Sequence, residues 1–432
     1  MKFSTIFQDG SAILVGRFKG SVDFDPTPKV ALLAGGPGAW FVLRVAGDNS
    51  VVWAKAFSGN ILMNSLSPGS DFGALLTGSF FGSADFAGRN ESAATQGTNF
   101  IIRISKDGTL DLRAFKETSA ASWSITDAIS RPTGESTFVG RFSGTLQFDV
   151  DGAGYTSIPD NTNGFVATLT TAGKVSSVQQ IRALNNGQVS PTNVIRSTSG
   201  GLWIGGLASG EIDLDPTAGI DNRLVSRLSF FMLRLDAGGA YRAGKILDVA
   251  NIDFSTRLVA LAGTSDDGVV VGGNLYADSG AIDLDPGTEK VSKTAIGEND
   301  FFVIKLNKAG EYQWGNVWGG SAWDELAALQ THSTDEVLVS GSFKGNLNFA
   351  NEQSPVLRSA SDGAAFAMVL KPNGELRLVL NTGGAEGSAS AGFTQTGFAM
   401  SGIFMGSVDF QPGNGVEFKE GSPSLFLSRY SL

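Results

Sequence analysis

The stretch GRFKGSVDFDP, residues 16–26, contains the element that decides the fold: a glycine, three residues, then Phe or Leu. The same element occurs seven times in the 432 residues of the chain, at intervals of 61 to 70 residues. The copies begin at Gly20, Gly82, Gly144, Gly210, Gly280, Gly345 and Gly406. A period of this size is typical of propellers and of other repeat arrays.

Each copy also contains further strand-like segments in a constant order. A run such as LVGRF (14–18), which ends in Gly-x-Phe, precedes the element, and an alternating run such as FVLRV (41–45) follows it. A short turn with Gly or Asn comes next, as in residues 46–50, and then a further run such as residues 51–57. Alternation with period two and tight turns predict four strands per copy, joined as an antiparallel meander.

These segments predict an all-β protein, a seven-bladed β-propeller with four-stranded antiparallel blades, in a single domain over residues 1–432. Four strands cannot bury both faces alone, whereas sheets stacked around an axis can. Tandem sandwiches are the alternative, but they would need Pro- or Ser-rich linkers. The last repeat ends after its third strand, so we expect the last blade to lack its outermost strand. The repeats are approximately 1–62, 63–122, 123–187, 188–253, 254–322, 323–387 and 388–432.

The composition excludes several classes of function. A formal charge of −10 disfavours nucleic acid and anionic lipid as partners. The chain has no Cys and a single His, His332, so thiolate and multi-histidine metal sites are excluded, and we expect His332 to be structural. No run of about 18 apolar residues predicts a transmembrane segment. The N-terminal MKFSTIFQDG lacks the apolar stretch of a signal peptide.

Two charged positions vary together among the copies. An acid precedes the Phe or Leu of the element in five copies, and a base lies in the following strand in the same five copies. Positions that vary together usually touch, and an unpaired buried charge is costly. We therefore predict five structural salt bridges, with a ring of charges around a central channel as the less favoured alternative. The pairs are Asp23–Arg44, Asp85–Arg103, Asp213–Arg234, Asp283–Lys305 and Asp409–Arg429.

Pairs of Asp two residues apart recur beside the element. They are Asp23/Asp25, Asp149/Asp151, Asp213/Asp215 and Asp283/Asp285. Two carboxylates at this spacing could share a calcium ion, and Asp149 and Asp151, followed by Gly152, are weak candidates for such a site. Asp-Pro follows in three copies, however, and Asp before Pro favours a turn. We interpret the pairs as turn residues and expect no cofactor, with calcium as the alternative.

Large apolar side chains recur where the fourth strand leads into the next copy. They are Trp123, Phe254 and Trp323, with Met63 nearby. These connections lie on one face of a propeller, where loops on a rigid scaffold commonly bind ligands. A Trp there could stack on a sugar or contact a peptide. The alternative is that these side chains only fill space between neighbouring blades.

The run GRFKGSVDFDP (16–26), together with FFVIKLNKAGEYQW (301–314), resembles a repeat of large bacterial exported and cell-surface proteins. The resemblance covers essentially the whole chain. It implies a β-propeller and an extracellular or cell-surface setting. It implies no active site, so no functional residue is transferred from it.

The sequence contains no catalytic constellation. We expect a non-catalytic binding or scaffold module that recognises protein or glycan, on the bacterial surface. The alternative is a hydrolase or lyase that acts on polysaccharide at the channel mouth, an idea that rests on analogy between folds. A deep cleft with two carboxylates about 5–9.5 Å apart would favour the enzyme. A shallow aromatic or polar surface would favour the binding module.

Overall fold

The structure is a computed structural model of the chain. It describes residues 1–69, 71–93, 97–115, 122–148, 154–156, 161–251, 256–347, 349, 357–358, 363–382, 389–410 and 418–432. The described residues form antiparallel β-sheets and one single-turn 3-10 helix, Ala277–Ser279. The predicted all-β class is therefore confirmed, and the architecture is consistent with a propeller-like fold. The chain divides into two compact units, Met1–Val194 and Ile195–Leu432.

The first unit repeats one sheet pattern along the chain. The strands of its first part are β1 (Phe3–Ile6), β2 (Ala12–Asp23), β3 (Leu32–Val45), β4 (Val51–Pro68), β5 (Ala74–Phe86), β6 (Arg89–Ser92), β7 (Thr98–Ile104) and β8 (Leu110–Phe115). They pair in the order β1-β2-β3-β4-β5-β7-β8, with β6 on β5. The long strand β4 therefore belongs to two successive four-stranded arrangements, because it pairs with β3 at one end and with β5 at the other.

The rest of the first unit continues the pattern. Its strands are β9 (Ser122–Ser130), β10 (Ser136–Ser143), β11 (Thr145–Gln147), β12 (Gly154–Thr156), β13 (Asn163–Leu169) and β14 (Val175–Ala183). Strands β9, β10, β13 and β14 pair in that order, and β11 pairs with β12 as a separate hairpin. Strand β15 (Gln188–Arg196) spans the boundary between the units.

The second unit contains further sheets of the same kind. Strands β16 (Leu202–Asp213), β17 (Asn222–Leu235) and β18 (Tyr241–Leu247) pair in order. The next strands are β19 (Arg257–Gly263), β20 (Val269–Tyr276), β21 (Ala281–Asp283), β22 (Ser292–Thr294), β23 (Asn299–Leu306) and β24 (Tyr312–Trp318). They form a sheet in the order β19-β20-β23-β24 and a hairpin of β21 and β22.

Two more sheets complete the second unit. The strands of the first are β25 (Asp324–Thr331), β26 (Val337–Phe343), β27 (Asn346–Leu347), β28 (Leu357–Arg358), β29 (Ala364–Leu370) and β30 (Leu376–Asn381). Their order is β25-β26-β29-β30, with β27 paired to β28. In the second, β31 (Ala389–Thr394), β32 (Gly397–Asp409) and β33 (Phe418–Ser431) form a three-stranded sheet.

The cores lie between successive sheets within each unit. One core combines Val15 and Val42 of β2 and β3 with Leu76 and Phe100 of β5 and β7. Another combines Trp203 of β16 with Val271 of β20 and Phe302 of β23. Since both faces of an inner sheet are covered in this way, its strands read as nearly continuous apolar runs rather than as strict alternation.

The Gly-x-Phe part of the repeat has a packing reason. Its glycine lies opposite the first Phe of the following strand, as in the pairs Gly16–Phe41 and Gly140–Phe165. A Cβ on either glycine would lie 2.7 Å from the Phe ring, so the ring packs directly on the backbone. The glycine that opens the Gly-x-x-x-Phe element has a positive φ in all seven copies, between +67° and +84°, which only Gly adopts without strain.

Candidate functional site

The Asp-x-Asp pairs are turn residues in the copies that the structure describes. Asp23 Oδ1 accepts the backbone N–H groups of Asp25 (3.1 Å) and Ala31 (2.8 Å), and Asp25 Oδ1 accepts that of Thr27 (2.9 Å). Asp213 and Asp215 repeat this network with distances of 3.1, 2.8 and 2.8 Å. The carboxylates thus close the hairpin loop, which supports the turn interpretation. Asp149 and Asp151 lie outside the described residues.

The five predicted salt bridges are wrong, because the strand register separates the acid from the base. Asp23 lies opposite Leu32, whereas Arg44 lies opposite Ile13. Residues 13 and 23 are ten positions apart and lie at opposite ends of β2. The same separation holds in three more copies, and in the fifth Asp283 faces Ser292 while Lys305 faces Val270. The other displaced pairs are Asp85–Arg103, Asp213–Arg234 and Asp409–Arg429.

The arginines instead bind turns of the next four-stranded arrangement along the chain. Arg44 is buried, donates to the Phe72 carbonyl and lies over the Phe7 ring at 5.3 Å. Arg103 donates to the Thr170 carbonyl at 2.7 Å. Arg234 donates to the Lys308 carbonyl (2.9 Å) and forms an ion pair with Asp267 at 3.6 Å. The bases therefore do hold neighbouring sheets together, but through turn carbonyls and turn acids.

Of the predicted ligand-binding side chains, Met63 belongs to a core and Trp123 is half-buried against one. Met63 is fully buried and packs in the first core of its unit, so its assignment to a binding site is wrong. Trp123 packs edge-on against Phe115 and Phe148, with ring centroids 5.7 and 5.5 Å away. It pairs with Phe142 across the sheet and points between sheets, as the space-filling alternative expected. Phe254 lies outside the described residues.

Trp323 occupies a different place from Trp123. Asp324, and not Trp323, lies opposite Phe343, the residue that corresponds to Phe142. A shift of one residue on a strand reverses the face to which a side chain points. Trp323 is half-buried and its ring lies 6.1 Å from that of Tyr276. Trp123 is also half-buried but packs against three Phe rings, so Trp323 is the better candidate for ligand contact.

His332 lies in the turn between β25 and β26. Its Nδ1 is 2.8 Å from Thr334 Oγ1, and its ring lies 5.1 Å from that of Phe393. These contacts agree with the structural role expected of it. No described group of three His, Cys, Asp or Glu residues could hold a metal ion. No described helix is long and apolar enough to cross a membrane.

A polar cleft of about 200 Å³ lies in the second unit, where β18 meets the loop that follows β21. Its charged lining is rigid, because backbone groups hold it in place. Asp283 Oδ1 accepts the N–H groups of Asp285 (3.2 Å) and Val291 (3.0 Å). Asp285 Oδ1 accepts the N–H of Gly287 at 2.7 Å. The lining residues are Arg223, Gly244, Lys245, Ile246, Asp248, Asp283, Asp285, Pro286 and Gly287.

The base of this cleft is fixed by a second network. Arg223 Nε lies 2.7 Å from Asp221 Oδ1, and this hydrogen bond raises the pKa of the guanidinium. Tyr241 donates its hydroxyl to the other carboxylate oxygen of Asp221, and burial raises the Tyr241 pKa. The cleft thus offers fixed carboxylates and a fixed cation to a ligand. Sequence reasoning singled out Asp283 and Asp285 but missed Arg223 and Lys245, which lie on other strands.

Two fully buried acids lie elsewhere in the second unit. Asp300 is at the start of β23 and Asp324 at the start of β25, and neither is exposed to solvent. Burial raises the pKa of both, and the neighbouring Asp300 carboxylate helps to raise that of Asp324 to about 7. No sequence signal marked this pair, since the two residues belong to different copies of the repeat.

Comparisons with known proteins give no family. No protein-family model matches the chain, and no curated protein matches it in sequence. A puromycin hydrolase matches 93% of this chain and 57% of its own at 12% identity and a TM-score of 0.37, so the chain spans just over half of that protein. A gluconolactonase from Xanthomonas campestris matches 90% of this chain and 97% of its own at 10% identity and a TM-score of 0.32.

The extracellular domain of a hybrid two-component system from B. thetaiotaomicron matches 96% of this chain and 65% of its own, at 10% identity and a TM-score of 0.22. At these values the similarities say nothing of this chain's activity.

Proposed function

We propose that the chain is a non-catalytic binding module that recognises a glycan in the polar cleft of its second unit. The observation that carries this proposal is the fixed set of charged groups along the cleft. Sugar hydroxyls are recognised by a few polar groups held in place, and a rigid site loses little entropy when a ligand binds. Asp283, Asp285 and Arg223 are each held by a second group, so they meet this condition.

The test is a glycan array of neutral and acidic oligosaccharides, followed by titration calorimetry with the oligosaccharide that binds best. Asp285→Asn removes a charge from the cleft while its amide oxygen can still accept the Gly287 N–H. We expect this variant to bind at least tenfold more weakly, because a charged hydrogen bond contributes about 1.5–3 kcal/mol.

Asp25→Asn is the matched control, because Asp25 makes the corresponding turn hydrogen bonds in the first copy, in the other unit. It should bind as the wild type does. If both variants lose the same amount of binding affinity, the loss comes from disturbing the turn and not from the cleft. If Asp285→Asn binds as the wild type does, the cleft is not the binding site. Trp323→Ala on the same array tests whether the aromatic pair with Tyr276 also contacts ligand.

A second candidate is hydrolysis of a polysaccharide in the same cleft. It is favoured by the presence of three carboxylates, those of Asp248, Asp283 and Asp285, because glycoside hydrolysis needs two. Incubation of the protein with the oligosaccharides that bind, followed by an assay for new reducing ends, separates the two functions. Product formed by the wild type and not by Asp285→Asn would establish the enzyme.

We further propose that the repeats form one seven-bladed propeller, whose last blade is the three-stranded sheet β31–β33. The repeated sheet order within each unit and the cores between successive sheets support it. The resemblance to bacterial exported repeats supports an extracellular or cell-surface setting. Electron microscopy of the purified chain would show the number of blades directly.

A further inference from the structure

Two cations of the first unit, Lys2 and Arg17, lie over the same indole ring. The guanidinium carbon of Arg17 is 4.8 Å from the centre of the Trp40 ring, and Lys2 Nζ is 5.7 Å from it. Arg17 and Trp40 are direct partners on β2 and β3, so their side chains leave the same face of the sheet. Both cations are on exposed residues and therefore share one small part of the surface.

The Lys2 ammonium is held where it lies. It donates to the Met63 carbonyl and is 4.8 Å from the centre of the Phe3 ring. Burial of the ammonium and the positive charge of Arg17 both lower the pKa of Lys2. The second effect is a repulsion between the two cations, which a negative group beside both of them would relieve.

Neither cation has an acidic partner among the residues that the structure describes. None of the ion pairs formed by those residues includes Lys2 or Arg17. No group in the described part of the chain accepts a hydrogen bond from the Arg17 guanidinium, whereas Arg44 and Arg103 both donate to turn carbonyls. The N–H groups of Arg17 are therefore available to a ligand, in a planar fork that matches the oxygens of an oxyanion.

The other copies of the repeat show that the position of Lys2 requires a donor but no charge. Lys2, Asn64 and Thr126 each lie 18 residues before the glycine that opens the element of their copy. Asn64 Nδ2 donates to the Ile125 carbonyl at 2.6 Å, and Thr126 Oγ1 donates to the Pro191 carbonyl at 2.7 Å. Neutral side chains thus make the same link to the next copy, and the charge of Lys2 is an addition.

The position of Arg17 does not require a base either. In the third copy Arg141 takes this position, but it lies opposite Gly164 instead of an indole, and Thr126 replaces Lys2. The first copy therefore combines three features that the third copy does not: two cations and a ring beneath them. The remaining copies have uncharged residues at the position of Arg17, namely Ser79, Leu207, Asn274, Ser342 and Ile403.

We propose that Lys2 and Arg17 bind an oxyanion group of a ligand, a carboxylate, sulfate or phosphate, on the surface above Trp40. The guanidinium fork donates to two oxygens of this group, and the ammonium supplies the second positive charge. The Trp40 ring and the Met63 carbonyl hold the cations in place, so they lose little freedom when the anion binds. This site belongs to the first unit, whereas the polar cleft belongs to the second.

The experiment measures binding of inorganic phosphate to the full chain, from the broadening of the phosphorus resonance at constant ionic strength. We expect saturable broadening by the wild type. Lys2→Gln, which keeps a donor for the Met63 carbonyl, and Arg17→Gln should each weaken binding about tenfold or more, because each removes a charged hydrogen bond to the anion. Arg141→Gln removes the base at the corresponding position of the third copy and should leave the Kd unchanged.

Competition distinguishes the possible oxyanions. Sulfate and glucuronate are added in turn to the phosphate complex, and the anion that displaces phosphate at the lowest concentration is the group that the site prefers. Asp285→Asn, the variant of the polar cleft, should bind phosphate as the wild type does. Failure of the glycan site and failure of the oxyanion site are therefore separate results.

Absence of saturable broadening by the wild type would overturn the proposal. So would full phosphate binding by Lys2→Gln or by Arg17→Gln. If Arg141→Gln loses as much affinity as Arg17→Gln, phosphate responds to the charge of the whole surface, and there is no site above Trp40.

Discussion

Asp127 in the first unit and Asp300 in the second are both buried, and their carboxylates are satisfied in different ways. Asp127 of the first unit is buried and accepts N–H groups from Val194 (3.0 Å) and Ala128 (2.8 Å) and the hydroxyl of Ser67 (3.4 Å). Asp300 of the second unit has one carboxylate oxygen with no partner at all. The difference separates an acid whose acceptors are all used from an acid that keeps an unused acceptor oxygen.

The largest effect should come from removing the satisfied acid. Asp127→Leu leaves the Val194 and Ala128 N–H groups buried without acceptors, so we expect the free energy of unfolding to fall by about 3–5 kcal/mol. Urea denaturation followed by circular dichroism measures this fall. Asp300→Leu should cost less, because the N–H groups of Ile296 and Gly297 that it frees lie in an exposed loop, and it also removes an orphaned oxygen. Equal costs at the two sites would contradict the distinction.

Trp123→Ala should lower the free energy of unfolding by about 3 kcal/mol, because the ring fills the core between two sheets of the first unit. Trp323→Ala should lower it by under about 1 kcal/mol, because one described ring contacts its indole, that of Tyr276, whereas three Phe rings contact Trp123. Thermal and urea denaturation of both variants provide the comparison. A larger cost at Trp323 would show that the one-residue offset between the two positions is wrong.

The stability of the first unit should depend on pH through Asp127. Burial raises its pKa to about 6, above the value of about 3.9 in an unfolded chain. The folded state then binds the proton more tightly, so this contribution is fully present below pH 4 and is lost as pH rises through 6. The loss amounts to about 3 kcal/mol.

Urea titrations between pH 4 and 7 on the wild type and on Asp127→Asn should differ in slope over this window. Parallel curves for the two proteins would show that Asp127 does not titrate in this way.

The smallest effect should be the coupling between Asp85 and Arg103. Their positions on β5 and β7 are far apart, so a double-mutant cycle with Asp85→Asn and Arg103→Met should give a coupling within about 0.3–0.5 kcal/mol of zero. The cycle of Arg234→Met with Asp267→Asn should give a measurable coupling, because these side chains form an ion pair. A coupling energy between Asp85 and Arg103 above about 1 kcal/mol would support the predicted salt bridge between them.

The fold class could be predicted because the same local contacts and turns recur in the copies of the repeat. The contact between the Gly-x-Phe glycine and a Phe ring, and the positive φ of the element glycine, both require a residue without a side chain. The glycines themselves, such as Gly16 and Gly20, therefore indicate these features in the sequence. The partner of Arg44 could not be predicted, since it is a backbone carbonyl in the turn between β4 and β5. The covariation between copies had suggested the Asp23 carboxylate as its partner, but the strand register places Asp23 at the other end of β2.

The candidate sites were harder to predict, for a related reason. Asp300 and Asp324 belong to different copies, and only the loop at Gly319 and Gly320 brings them together. Trp123 and Trp323 look equivalent in the sequence, but their positions are offset by one residue. Trp123 lies on a strand opposite Phe142, whereas Trp323 lies just before the strand that begins at Asp324. A repeat reveals what its copies share, whereas function lies in the places where one copy departs from the others.

The continuous strand β4, Val51–Pro68, has a consequence for how the first unit opens. A single stretch of backbone is hydrogen-bonded to β3 at one end and to β5 at the other. If β4 separates from β3, its hydrogen bonds to β5 are therefore weakened as well. Amide protons on β3 and β5 should therefore exchange with solvent at similar rates, as members of one cooperative unit.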